Sequence, residues 1–275
     1  MRIIKHKLEK ALYRPTPNHG GTFAKKRPDT IVIHYTATAT ARQAVDALSN
    51  PRVKASAHVV IDRDGTVTQL LPFDTVAWHA GESRHLERTR LNKYSIGIEI
   101  VNAGWLRKSG EIFLAQSGRE YTREEVIYAV HRNSDVPYVY WHKYTEEQLR
   151  VTEELCALLI GAYPVKWIVG HEEIAPERKQ DPGPAFPLDD LRRRLLGVDF
   201  DLKDDKGATP RVAVVTAGRL NIRGGPSIKA GRVARPLPRG QQVEILQHRG
   251  NWVEVETRIR GWVHKDYISP KKGET

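Results

Sequence analysis

"TIVIHYTA", residues 30–37, is a β-branched run that stops at a histidine, His34. Four consecutive apolar or β-branched residues suit a strand buried on both faces rather than one with a wet side. Two more segments read the same way: "SIGIEIVNAG" (95–104), interrupted by Glu99, and "WIVG" (167–170), which leads to His171. Between them lie other kinds of element. "TARQAVDALSN" (40–50) has helical spacing, with Ala44, Val45 and Leu48 on one face. "SAHVVIDRDGTVTQLLP" (56–72) reads as a hairpin whose "DRDG" supplies an Asp-Gly turn. "TEEQLRVTEELCALLIGAY" (145–163) is the best helix in the chain, with Thr145 as its cap, and "LDDLRRRLL" (188–196) is a last helix.

Working outward, residues 1–27 are polar and rich in Pro, Gly and Lys, and read as an N-terminal arm. Residues 105–144 are polar and aromatic and read as a surface insertion, with "YTREEVIYAVHRN" as its helical part and "VPYVYWHKY" as its extended part. After the last helix the composition changes. Residues 198–210 are charged and poor in apolar residues, as a linker is. Residues 211–270 hold short strands punctuated by Gly and Pro, the pattern of a small all-β barrel.

The chain has 275 residues, 40% of them hydrophobic, and a formal net charge of +11. This charge draws a protein to polyanions, whether nucleic acid, anionic lipid or an acidic cell wall. No recognition helix, RNA-binding signature or zinc-finger spacing supports nucleic acid. No segment is long and apolar enough to span a bilayer, and no secretory signal is recognisable, so manufacture in the cytoplasm is expected. The single cysteine, Cys156, excludes an intrachain disulfide and a multi-cysteine zinc site, and its helical apolar surroundings fit a small core residue.

His34 and His171 stand out among eleven histidines because each ends an apolar strand, where a side chain reaches a sheet edge. A rim histidine held by hydrogen bonds would look the same. With Asp181, however, the two imidazoles make a three-ligand set for zinc that leaves a fourth position for water, the mark of a catalytic site. "GHEE" matches the H-E-x-x-H motif only superficially, so spacing alone says little. Glu99, with apolar or glycine neighbours, is either a structural ion pair or a general base tuned by partial burial. Lys179 is either a solvated charge or an oxyanion-stabilising cation beside the metal.

"IVIHYTAT", "SAHVVIDRDGTVTQLLP", "AWHAGES", "LNKYSIGIEIVN" and "GHEEIAPERKQDPGPAFPL" occur in this order over about residues 28–196. Together they resemble the zinc-dependent N-acetylmuramoyl-L-alanine amidases of the amidase-2 class, which share a fold with peptidoglycan recognition proteins. The resemblance implies an α/β fold, a mixed central β-sheet flanked by helices, over residues 28–197. It implies hydrolysis of the amide between N-acetylmuramic acid and L-alanine in peptidoglycan. It implies Zn2+ held by His34, His171 and Asp181, with Glu99 acting on the water and Lys179 on the oxyanion. Arg63 and Arg90 fall near places where relatives hold stem-peptide carboxylates, although both would also pass as surface arginines. His79 either lines the same groove or is structural.

"LNIRGGPS" and "GWVHKDYI" make residues 211–270 resemble a bacterial SH3-like domain, a wall-binding module by analogy. Trp252, Trp262 and Tyr267 would line a groove there or form its core. The basic charge and this module favour action on intact wall after release or delivery, as by a phage or prophage endolysin or another wall-lytic enzyme. The alternatives are a cytoplasmic muropeptide-recycling amidase and a non-catalytic peptidoglycan sensor on the same fold.

Overall fold

The computed structural model describes residues 1–25, 27–133, 135–197, 212–249 and 252–257. The chain forms two compact units, residues 1–199 and 200–275. The expected linker, and Trp262 and Tyr267, lie outside the described residues.

The apolar runs become neighbours in one six-stranded sheet. Its order is Trp167–Gly170, Thr30–Tyr35, Ser95–Ile100, Val59–Ile61, Val67–Gln69 and Leu12–Tyr13. The first four strands are mutually parallel; Val67–Gln69 returns antiparallel from Val59–Ile61 through the expected Asp-Gly turn, closed by Gly65 N–H to Asp62 O (3.0 Å). Gly65 has φ +83°, which only glycine adopts freely.

Both faces of the sheet are covered, as the unbroken apolar runs require. On one face Ile31, Ile33, Ile96, Ile98 and Ile168 pack with Leu155, Cys156 and Leu159 of helix Glu146–Ala162 and Leu188 and Leu191 of helix Leu188–Leu196. On the other, Val60 and Leu70 pack with Ala44 of helix Ala41–Ser49, and Val32 and Val169 pack with Leu91 and Ile174. Each fully buried aliphatic side chain of this kind stabilises the fold by about 1.5–3 kcal/mol. The long helix begins where Thr145 and Gln148 form a reciprocal capping box.

Two regions differ from the sequence reading. Residues 1–25 are no free arm. Leu12–Tyr13 completes the central sheet, His19–Thr22 pairs with Thr75–Ala77, and Leu8 joins the core. Asn18 is buried, and its amide lies within donating distance of the carbonyls of Leu48, Asn50, Val53 and Ala55. Side-chain hydrogen bonding of this sort fixes a segment whose composition alone looks disordered.

The insertion is a sheet, not helix plus strand. Its antiparallel order is Glu120–Tyr121, Ile112–Leu114, Trp105–Ser109, Tyr140–His142 and Val126–Tyr128. The box between Thr122 and Glu125 starts only a single 3-10 turn, because Val126–Tyr128 gains strand partners at Tyr140–His142. Tertiary pairing outweighs local helical spacing here. Ala103, Leu106, Phe113, Tyr121 and Val126 make its own small core.

In the second unit, Val212–Val214, Gln242–Arg249 and Trp252–Glu256 form an antiparallel sheet, and Arg219–Leu220 pairs with Leu237–Pro238. Val215, Leu237 and Val243 are its core, and Trp252 is half-buried.

Candidate active site

Parallel pairing sets the site. Glu99 lies directly across from His34, and Gly170, just before His171, lies across from Ile33. Residues paired in register present side chains to the same face. Three adjacent strands therefore deliver His171, His34 and Glu99 side by side at their C-terminal ends, where ligands of open parallel sheets collect. Asp181 arrives from the loop after the single turn His171–Ile174, held by Glu172 N–H donating to Asp181 O (2.7 Å).

His34 Nδ1, His171 Nδ1 and Asp181 Oδ2 converge: the three separations are 2.9, 2.8 and 2.9 Å. The tautomers follow from two backbone carbonyls, which can only accept. His171 Nε2 faces Ala80 O at 3.2 Å, so it carries the proton. His79 Nε2 faces Ser95 O at 3.2 Å, so His79 Nδ1 is an acceptor, and His34 Nε2, 3.0 Å away, donates to it. Both Nδ1 atoms are thus bare lone pairs aimed at a carboxylate oxygen. Three acceptors meeting without a hydrogen between them fit a cation, and two imidazoles with one carboxylate fit zinc. Outer partners that fix the ring tautomers are the usual support of such ligands.

Electrostatics agree. Burial lowers His34 to about 4, helped by His171 and opposed by Asp181. Burial would raise the Asp181 carboxyl, but His171 and His34 outweigh it and hold the group well below the carboxylate range. Burial, with Asp181 adding, pushes Glu99 well above its ordinary value against the pull of Lys179. Glu99 Oε2 is buried and accepts no hydrogen bond.

Glu99, Lys179 and the three donors border one cavity of about 520 Å3, together with Trp78, Arg178 and Gln180. His79, 9% exposed, also borders this cavity, and its Nδ1 accepts from His34 Nε2 (3.0 Å). Its ring lies against Gly97, where an added Cβ would come within 2.4 Å of Cγ. The glycine of "SIGIE" is what lets the imidazole reach the strand backbone. Arg63 and Arg90 are not brought in. Arg63 donates to Lys143 O (2.7 Å) and Gln148 Oε1 (2.9 Å) at the start of the long helix. Arg90 is exposed, its Nε 3.8 Å from Glu82.

A clamp around the loop that carries Asp181 has no counterpart in the sequence reading. Glu172, 3% exposed, accepts from His131 Nε2–H (2.6 Å), Gly183 N–H (3.0 Å) and Arg132 Nε (2.9 Å). Asn133 N–H donates to His131 Nδ1 (3.0 Å), which fixes that tautomer. Arg132 and Arg192 also pair with Glu173. Tyr144 donates to Pro182 O (2.8 Å), and Gly183, at φ +72°, leaves room for Trp141, whose ring is 2.8 Å from where a Cβ would stand. The added sheet and the residues following it thus grip the loop that carries Lys179 and Asp181. The only local signal for this was a glutamate after "GH".

Comparison with known proteins shows the family. Residues 24–184 match the N-acetylmuramoyl-L-alanine amidase family, and residues 218–269 match the bacterial SH3 domain. The 1,6-anhydro-N-acetylmuramyl-L-alanine amidase AmpD of Escherichia coli is 35% identical over 146 residues, which are 52% of this chain and 59% of that protein. The N-acetylmuramoyl-L-alanine amidase AmiD of the same species is 29% identical over 78% of this chain and 72% of its own length. A crystal structure of a selenomethionine AmpD derivative superposes with a TM-score of 0.52 at 26% identity, over 71% of this chain and 99% of that one. The chain belongs to the N-acetylmuramoyl-L-alanine amidase family and carries a bacterial SH3 domain at its C-terminal side.

Proposed function

We propose that the chain hydrolyses the amide between the lactyl group of N-acetylmuramic acid and L-alanine, with zinc held by His34, His171 and Asp181, and that soluble muropeptides are its substrates. The observation that carries the chemistry is the meeting of three lone pairs beside an unpartnered Glu99. Zinc in that donor set would supply a Lewis acid and a water of lowered pKa. The protein's own residues do the rest. Glu99, whose pKa is raised by burial, takes the proton of the attacking water at Oε2 and returns it to the leaving amine of L-alanine. Lys179, at the same cavity, balances the oxyanion as it develops. Arg178 and Lys179 give the groove a cationic side suited to stem-peptide carboxylates.

The preference for soluble fragments rests on the relatives. AmpD is named for a 1,6-anhydro-N-acetylmuramyl substrate. The SH3 domain and the +11 charge support the second reading, action on intact wall after release or delivery. One experiment separates them. The purified full chain is incubated with soluble muropeptides and with intact sacculi, with and without a chelator, and products are identified by mass spectrometry. Peptides beginning at L-alanine, released from muropeptides and lost with chelator, are expected. Faster release from sacculi would favour the wall-directed reading, and no release from either would sink the amidase.

A further inference from the structure

The groove carries an aromatic pair that the proposed hydrolysis does not use. Trp105 opens the first strand of the added sheet, and Tyr138 lies just before the strand Tyr140–His142. Their rings are parallel within 1° with centroids 3.7 Å apart. Both are half-buried, and both border the cavity that holds His34, Glu99 and Asp181. Stacking covers one face of each ring and holds the pair in a fixed orientation. The entry of Trp105 is fixed as well: Gly104, at φ +75°, lies on Tyr35, whose ring is 2.5 Å from the place of a Cβ. The cavity is therefore lined by aromatic side chains of the added sheet and by Arg178 and Lys179 of the metal-binding loop.

We propose that Trp105 and Tyr138 form a saccharide subsite for the amino sugar linked to the muramyl residue whose amide is cut, so that disaccharide peptides are preferred over monosaccharide peptides. The proposal rests on the hydrolysis proposed above. A pyranose ring presents axial C–H groups on a flat face, which match the negative face of an aromatic ring. The peptide's carboxylates match the cations instead. The muramyl unit has to lie at the donor set, because its lactyl carbonyl reacts there. Trp105 and Tyr138 border the same cavity without being among the donors, the place where the sugar next to the muramyl unit would lie.

The test compares kcat/KM of the zinc-loaded full chain on N-acetylmuramyl-tripeptide and on the same compound extended by one N-acetylglucosamine. The wild type is expected to favour the disaccharide. Trp105→Ala and Tyr138→Ala should each lower the preference roughly 2- to 10-fold through KM, leaving the monosaccharide rate unchanged, and Trp105→Phe should restore it. A preference that survives both alanine substitutions, or an equal loss on both substrates, overturns the subsite. If the wild type cleaves neither compound, the hydrolysis reading has failed, and saturation-transfer NMR with the peptide-free disaccharide decides the subsite alone. Binding weakened by Trp105→Ala and restored by Trp105→Phe would support it; binding indifferent to Trp105 would overturn it.

Discussion

The parallel part of the central sheet and the antiparallel added sheet serve the same site in different ways. The parallel strands present His34, Glu99 and His171 in register, so their backbone geometry is the site's geometry. The added sheet supplies none of the three converging donor atoms. It holds the loop that carries Asp181 through His131 and Arg132, and the following residues add Tyr144. The contrast separates two parts that a static list of contacts would merge: one region presents two of the three donors and Glu99, the other holds the loop that carries the third donor, Asp181.

Substitutions and a change of pH probe that division. Glu99→Gln should lower kcat by about 10²- to 10⁴-fold while zinc content, measured by atomic absorption, is unchanged. Loss of zinc alongside activity would instead make Glu99 part of the metal scaffold. His131→Ala should do the reverse, weakening zinc affinity about 10- to 100-fold in a chelator competition, with kcat of the fully loaded enzyme nearly intact. An unchanged zinc affinity would remove the clamp from the account.

Gly97→Ala tests the parallel sheet from behind. Its methyl would displace the His79 ring, lowering stability by about 1–3 kcal/mol in urea unfolding. Gly161→Ala is the control, because it sits in the long helix with nothing within 4 Å and should stabilise by about 0.5–1 kcal/mol. Equal effects at the two glycines would mean that the His79 contact does not matter.

The last effect is a slope. Burial lowers His58 to about 4, while hydrogen bonds to Thr75 and Gly97 oppose the shift. Its folded pKa lies below its unfolded value of 6.5, so the unfolded chain takes up a proton that the folded chain refuses. Stability is then fully present above pH 6.5 and falls toward pH 4, by at most about 1.4 kcal/mol per pH unit for this group. Burial lowers His34 and His79 too, so the acid limb should be steep, and His58→Gln should flatten it.

The contrast between the sheets also explains what the sequence revealed. The core strands were legible because an apolar run buried on both faces needs no partner to be recognised, and each ended at a residue that apolar burial could not explain. The hairpin and the long helix carried their own turn and cap. The added sheet is not legible in the sequence because its strands are short and depend on one another: Val126–Tyr128 is a strand only beside Tyr140–His142. Residues 1–25 were misread for a similar reason, since Asn18 owes its burial to carbonyls some thirty residues away. At the site, a histidine and an aspartate could be picked out by type and place. Arg63 and Arg90 could not be placed that way, because a guanidinium near a strand looks the same in sequence whether or not it borders the cavity. Nor could His131 be found, since its partner Glu172 is 41 residues distant.

His34 and Asp181 stand 147 residues apart in the chain, and His171 and Asp181 only ten. A growing chain therefore makes the first donor early and waits for most of the domain before the other two exist. No fragment that ends before Asp181 holds the full set. If zinc is held as proposed, its retention would report that the chain is complete to Asp181 and natively folded, and truncated or misfolded copies would lack the donor set.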